Sequence, residues 1–189
     1  MRRPVAASAA VSPDGTMGRM NHTETTRTRH RVRAIAPDVV SELLERDDAG
    51  GGPRMVLDEE GGSPMRCCLG RSLPGERIAL VSYAPLRRWA AETGADPGPY
   101  DEVGPVFVHV GGCAGPAGSG FPDAMRGDRR VLRAYAADGR ILRGRYVEAG
   151  DGRPSIEEEL DDLYRDPEVA AVHLRAVEFG CFLLETRRD

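Results

Sequence analysis

Asp138-Gly139 stands between two strand-like runs, Val131 to Ala137 and Arg140 to Val147, and no other stretch constrains the fold as tightly. An aspartate and a glycine tolerate the positive φ angles of a two-residue type I′ turn, the connection whose twist matches that of paired strands. Such a turn sets the register: Arg133 opposite Gly144, Tyr135 opposite Leu142 and Val131 opposite Tyr146. A lone hairpin is marginal in water, so this one requires further strands or helices to cover it.

The remaining segments supply them, cut to strand length by glycine and proline. Arg31 to Ile35, Arg54 to Leu57, Arg66 to Leu69, Glu76 to Tyr83, Pro105 to Val110, Val169 to Val177 and Cys181 to Thr186 all read as strands. Pro37 opens a helix whose buried stripe is Val39, Val40, Leu43 and Leu44. A second helix runs from Ile156 to Tyr164, with Ser155 and Glu158 at capping-box spacing, and a short one is expected near Pro122 to Met125. The expectation is an α+β fold: a mixed, mainly antiparallel sheet covered by two or three helices. Residues 1–29, rich in Ser, Thr, Ala and Arg without apolar periodicity, read as a disordered basic leader, and residues 30–189 as a single α+β domain.

Composition narrows the chemistry. All 26 residues counted as Lys+Arg are arginine, which excludes a lysine Schiff base, with pyridoxal phosphate or directly with a carbonyl, and excludes a P-loop. No covalently tethered organic cofactor is expected. The formal charge of −4 argues against nucleic acid as a partner. No run reaches the roughly 18 to 20 apolar residues of a membrane span, so no membrane partner and a cytoplasmic location are expected. Four cysteines without a secretion signal are expected to be reduced.

Strand alternation then points to one polar face. In the Val169 to Val177 strand, His173 and Arg175 oppose Ala170, Val172 and Leu174, and in the Pro105 to Val110 strand His109 opposes Val106, Val108 and Val110. Arg133, projecting over Gly144 in the hairpin and flanked by aromatic residues, suits bidentate binding of a carboxylate or phosphate. Combined on one sheet, these residues suggest a pocket where Arg133, Arg175 and Tyr135 bind a small anionic molecule and His109 or His173 moves a proton. The plainer reading makes them half-buried polar residues satisfied within the fold.

Cysteine offers competing chemistry. Cys113, in the glycine-rich loop from Gly111 to Gly120, and Cys181, after Gly180, are candidate reactive thiols. His109 with Cys113 and His173 with Cys181 would suffice in number for tetrahedral zinc, but the spacing is not that of a metal motif and no metal is assigned. Adjacent Cys67 and Cys68, on a strand, would point to opposite faces. The loop from Gly111 to Gly120 fits no phosphate-loop spacing, and the acids from Glu157 to Asp162 read as the solvated face of a capped helix.

The segments Pro64-Met65-Arg66-Cys67-Cys68-Leu69, Pro74-Gly75-Glu76, Pro99-Tyr100, Gly104-Pro105-Val106-Phe107-Val108, Leu132-Arg133-Ala134-Tyr135, His173-Leu174-Arg175 and Gly180-Cys181-Phe182 resemble, in order and spacing, the bacterial domain of unknown function 1203 family. The resemblance implies a shared fold and no assigned activity. Ala136 and Ala176 depart from it, standing where the family pattern has polar residues. The functional expectation is a small enzyme, independent of organic cofactors, doing acid–base chemistry on a small anionic metabolite of a specialised bacterial pathway. The alternatives are a non-catalytic ligand- or partner-binding module and, third, a structural zinc protein.

Overall fold

The computed structural model describes residues 30–188, so the leader expected over 1–29 lies outside the described residues. In chain order the elements are β1 (His30–Arg33), α1 (Pro37–Glu45), β2 (Arg54–Asp58), β3 (Glu76–Tyr83), α2 (Pro85–Thr93), β4 (Gly104–His109), β5 (Arg129–Tyr135), β6 (Ile141–Glu148), α3 (Ile156–Leu163), β7 (Ala171–Ala176) and β8 (Phe182–Arg188). Single 3-10 turns occur at Gly98–Tyr100 and Asp123–Met125, the latter where a short helix was expected. The class is α+β. The sheet is two sheets, of order β1-β8-β7-β5-β6 and β2-β3-β4, with every neighbouring pair antiparallel. Local closure explains the division: β2, β3 and β4 pair in chain order, and the glycine-rich segment after β4 leaves that sheet before β5 begins.

The hairpin of β5 and β6 forms with a longer turn than Asp138-Gly139 alone suggests. Ala136 N–H donates to Arg140 O at 3.0 Å, and Gly139 N–H donates to Ala136 O at 3.0 Å. Gly139, at φ 96°, closes a three-residue connection. Arg133 still faces Gly144 and Val131 still faces Tyr146, but a register shift beyond Ala134 puts Tyr135 opposite Ile141 instead of Leu142. A Cβ on Gly139 would lie 2.8 Å from Pro97 Cα, so the turn also docks the loop that precedes β4.

One face of the five-stranded sheet is apolar. Leu132, Ala134, Val172 and Leu174 pack with Ile156, Leu160 and Leu163 of α3, each fully buried leucine contributing about 1.5–3 kcal/mol. The capping box forms as expected: Glu158 N–H donates to Ser155 Oγ at 3.2 Å, and Ser155 N–H to Glu158 Oε2 at 2.7 Å. A second core lies between α1 and the three-stranded sheet, from Val40 and Leu43 to Ile78, Val81, Val106 and Val108, and Phe182 of β8 joins it, coupling the two sheets.

The opposite face of the larger sheet lies near α2, a helix with only two buried apolar residues after its opening proline, Leu86 and Trp89, which pack with Tyr135 and Ala171. Pro85 starts it and Gly94, at φ 77°, ends it, a pairing of terminal signals that the sequence displays. Asp48 anchors it, accepting from Ala84 N–H at 2.7 Å and from Arg88 at 2.8 Å.

The expected strand from Arg66 to Leu69 is a tight turn. Met65 N–H donates to Gly70 O at 3.0 Å, and Leu69 takes a left-handed φ of 58°. Only single bridges, Pro64 to Arg71 and Met65 to Phe107, flank it. No described helix is long and apolar enough to cross a membrane.

Candidate functional site

Register brings most of the expected polar residues together. Arg133 lies opposite His173, Tyr135 opposite Ala171 and Val131 opposite Arg175, while β8 sets Glu185 opposite His173 on its other side. Cross-strand partners share a face, so Arg133, Tyr135, His173, Arg175 and Glu185 form one patch on the side away from α3. His109 belongs to the other sheet and does not join them.

The patch centres on Glu102, from the segment just before β4. Its carboxylate accepts from Arg133 Nη1 at 2.8 Å and pairs with Arg175 Nη1 at 2.9 Å. Burial opposes ionisation of Glu102, but the hydrogen bond from Arg133 and the charges of both guanidinium groups prevail and hold its pKa below the ordinary value. Arg175 Nε also donates to Gly180 O at 2.9 Å, which orients its guanidinium. Glu102 thus fills the position that a ligand carboxylate would take between two arginines.

Beside this clamp, His173 Nε2 lies 3.1 Å from Glu185 Oε2. The histidine is completely buried between Tyr135, with ring centroids 4.6 Å apart, and the edge-on ring of Phe182 at 5.2 Å. Burial pushes its pKa below the ordinary histidine value in spite of Glu185, so the ring is neutral near pH 7. Burial disfavours charge on Glu185 as well, but hydrogen bonds from His173 and Arg187 and the Arg187 charge hold its pKa low. A neutral ring that donates Nε2–H to Glu185 keeps its lone pair on Nδ1. Among the described residues, His173 Nδ1 is buried without a hydrogen-bond partner, an uncommon condition for a buried polar atom, and the buried Tyr135 hydroxyl has only the Arg133 guanidinium near it, in poor hydrogen-bond geometry.

A cavity of about 380 Å³ opens alongside, lined by Tyr83, Glu102, Arg175, Phe179, Cys181 and Phe182. Its size suits a small molecule. Phe179 is 87% exposed at its edge, and Cys181, expected as a candidate thiol, is part of its wall.

The other candidates gather elsewhere. Cys67, Cys68, His109 and Cys113 present ligand atoms that all lie within 4.8 Å of one another. The expectation that Cys67 and Cys68 diverge fails because the segment is a turn and not a strand. The pairing of His109 and Cys113 with His173 and Cys181 is likewise replaced: the first two keep company with Cys67 and Cys68, while His173 and Cys181 lie by the arginine patch. From Gly104 to His109, β4 spans five residue steps of about 3.3 Å, so its two ends, one beside Glu102 and the other in the cysteine cluster, are roughly 16 Å apart.

Sequence reasoning missed Glu102, Glu185 and the Cys67-Cys68 contribution. Glu185 carried a signal, as the lone acid in the apolar run Phe182-Leu183-Leu184 through Thr186. Glu102 carried none, since it lies outside any periodic segment. No curated protein and no solved structure matches this chain. The family described as a protein of unknown function, DUF1203, matches residues 62–188, a span that includes the arginine patch, the cysteine turn and β4 to β8, and the chain belongs to that family.

Proposed function

We propose that the patch around Arg133 and Arg175 binds a small anionic metabolite and that His173 moves a proton on it, without an organic cofactor. The observation that carries this reading is the convergence of two guanidinium groups on one carboxylate, Glu102, next to a histidine whose Nδ1 has no hydrogen-bond partner among the described residues. A ligand carboxylate or phosphate would displace Glu102 and take its two hydrogen bonds, an exchange of like for like that costs little charge–charge energy. Glu102 is the movable element, with its side chain 45% exposed and held by ion pairs to Arg133 and Arg175. Glu185 holds the imidazole with its lone pair on Nδ1 and stabilises the cation that forms when Nδ1 takes a proton, while the Tyr135 hydroxyl supplies a donor.

The complete burial of His173 between Tyr135 and Phe182 favours a second reading, recognition of the same anion without turnover, because no ligand atom reaches Nδ1 while the ring stays enclosed. Calorimetric titration with small dicarboxylates, hydroxy acids and phosphate tests the clamp. Binding should strengthen in Glu102→Gln, where the internal competitor loses its charge, and weaken in Arg133→Ala. Wild type and Glu102→Gln both failing to bind any of them would sink the proposal. For a bound compound that is also turned over, His173→Gln should keep binding and lose turnover; binding with no turnover in wild type selects the second reading.

A further inference from the structure

We propose that Cys67, Cys68, Cys113 and His109 bind one zinc ion in a closed structural site that ties the turn around residues 66–70 and the loop after β4 to the three-stranded sheet. Three sulfurs and one imidazole nitrogen are a complete tetrahedral donor set for zinc. With zinc bonds of about 2.3 Å to sulfur and 2.0–2.1 Å to nitrogen, tetrahedral ligands lie roughly 3.5–3.8 Å apart. Cys67 Sγ and Cys68 Sγ are 3.0 and 3.9 Å from His109 Nδ1, on either side of that separation, and no two ligand atoms of the set are more than 4.8 Å apart.

The surroundings are arranged as a metal site requires. His109 Nε2 lies 3.2 Å from Glu76 Oε1, so the ring proton belongs on Nε2 and the Nδ1 lone pair faces the sulfurs. Glu76 is itself fixed, its other oxygen accepting from Leu73 N–H at 2.7 Å. The His109 backbone N–H donates to Cys67 Sγ at 3.4 Å, the kind of amide–sulfur contact that spreads thiolate charge. The turn is built for convergence: Leu69 accepts a left-handed φ of 58°, and a Cβ on Gly70 would come within 3.3 Å of Cys68 Sγ. Those two features bring successive cysteines to one side, which a strand cannot do. On binding, zinc replaces the thiol protons, which pass to solvent, and no electron changes hands.

The site also has something to hold. Arg66, inside the turn, is buried; its N–H donates to Phe107 O at 3.0 Å, its carbonyl accepts from Ile35 N–H at 2.9 Å, and its Nε donates to Phe182 O at 2.9 Å. The turn therefore touches β4, the β1–α1 link and β8 at once. A clamp there secures the junction of the two sheets through four side chains and one ion.

The test is metal content. Full-length protein purified under reducing conditions without added metal should carry about one zinc per chain by mass spectrometry. Cys67→Ser and Cys113→Ser should lose it, whereas Cys181→Ser and Arg133→Ala should retain it. Because a ligand variant could fail to fold, wild-type protein is also stripped with a chelator, kept reduced and titrated with cobalt. The expected result is sulfur-to-cobalt charge-transfer absorption with the strong visible bands of tetrahedral cobalt, saturating at about one equivalent and abolished by zinc. Reduced protein with neither native zinc nor thiolate-bound cobalt overturns the proposal, and so does full zinc content in both Cys67→Ser and Cys113→Ser. Zinc retention in Arg133→Ala keeps this result independent of the anion site.

Discussion

The two ends of β4 carry two kinds of polar cluster. Near Gly104, the arginine patch is a network of charges answered from within the chain: Glu102 lies between Arg133 and Arg175, and Glu185 between Arg187 and the neutral His173. Near His109, three thiols and an imidazole converge, and the nearest acid, Glu76, orients the imidazole through its far nitrogen. On the reading proposed above, the first cluster would exchange one anion for another. The second gathers three sulfurs and an imidazole nitrogen, with Cys67 Sγ 3.0 Å from His109 Nδ1, a donor set suited to a soft cation. On these proposals, adaptable recognition belongs to the arginine end and rigid structure to the cysteine end.

The strongest way to break that contrast is to remove metal. Structural zinc contributes many kcal/mol to folding and a 1 kcal/mol change moves the melting temperature of a chain this size by about 2–4 °C. Chelation under reducing conditions should then lower the melting temperature by roughly 10 °C or more in scanning fluorimetry. An unchanged melting curve would leave the cysteine end no more structural than the arginine end.

Next in size is Glu185→Ala, which leaves buried His173 without an acceptor and half-buried Arg187 with Glu92 as its remaining carboxylate, and should cost about 1–3 kcal/mol in urea unfolding. A loss below about 1 kcal/mol, the range of surface pairs, would mean that the dyad is solvated. A pH series sharpens the same point. His173 is held below its ordinary value of 6.5, so between that value and its folded pKa the unfolded chain binds more protons. Stability must then fall as pH drops below about 6.5, with a slope of at most about 1.4 kcal/mol per pH unit from this group. His173→Gln should flatten that part of the curve whatever its overall stability, and an unchanged slope would contradict the assignment.

The smallest stability effect is expected at Glu102. Its ion pairs are partly exposed, so Glu102→Gln should change stability by no more than about 1 kcal/mol. Affinity for small carboxylates should nevertheless rise roughly tenfold, equivalent to about 1.4 kcal/mol. A large loss of stability with no gain in affinity would recast Glu102 as a structural latch.

Part of this was open to reading from residue order. Alternation set His173 and Arg175 on one side of a strand, and the hairpin turn paired Arg133 with Gly144, because both follow from short-range backbone geometry. Tyr135 was displaced by one position since a three-residue connection replaced a two-residue turn, a choice made where Gly139 meets Pro97. Cys67 and Cys68 were misread because apolar, β-compatible residues with single bridges at their margins look like a strand until the left-handed Leu69 is known.

By itself, the sequence determined the α+β class, the capped helix at Ser155, the faces on which His173, Arg175 and Arg133 point, and, through the absence of lysine, the chemistries that are closed to this chain. Those are properties of covalent geometry, local hydrogen bonding and composition. Only the tertiary structure decided that the strands divide into two sheets, that Glu102 closes the arginine clamp, and that two cysteines about forty residues before His109 meet it. Contacts at that separation depend on strand order and on which loop crosses which sheet. Many arrangements of similar local energy compete for them, and packing of the whole chain selects one.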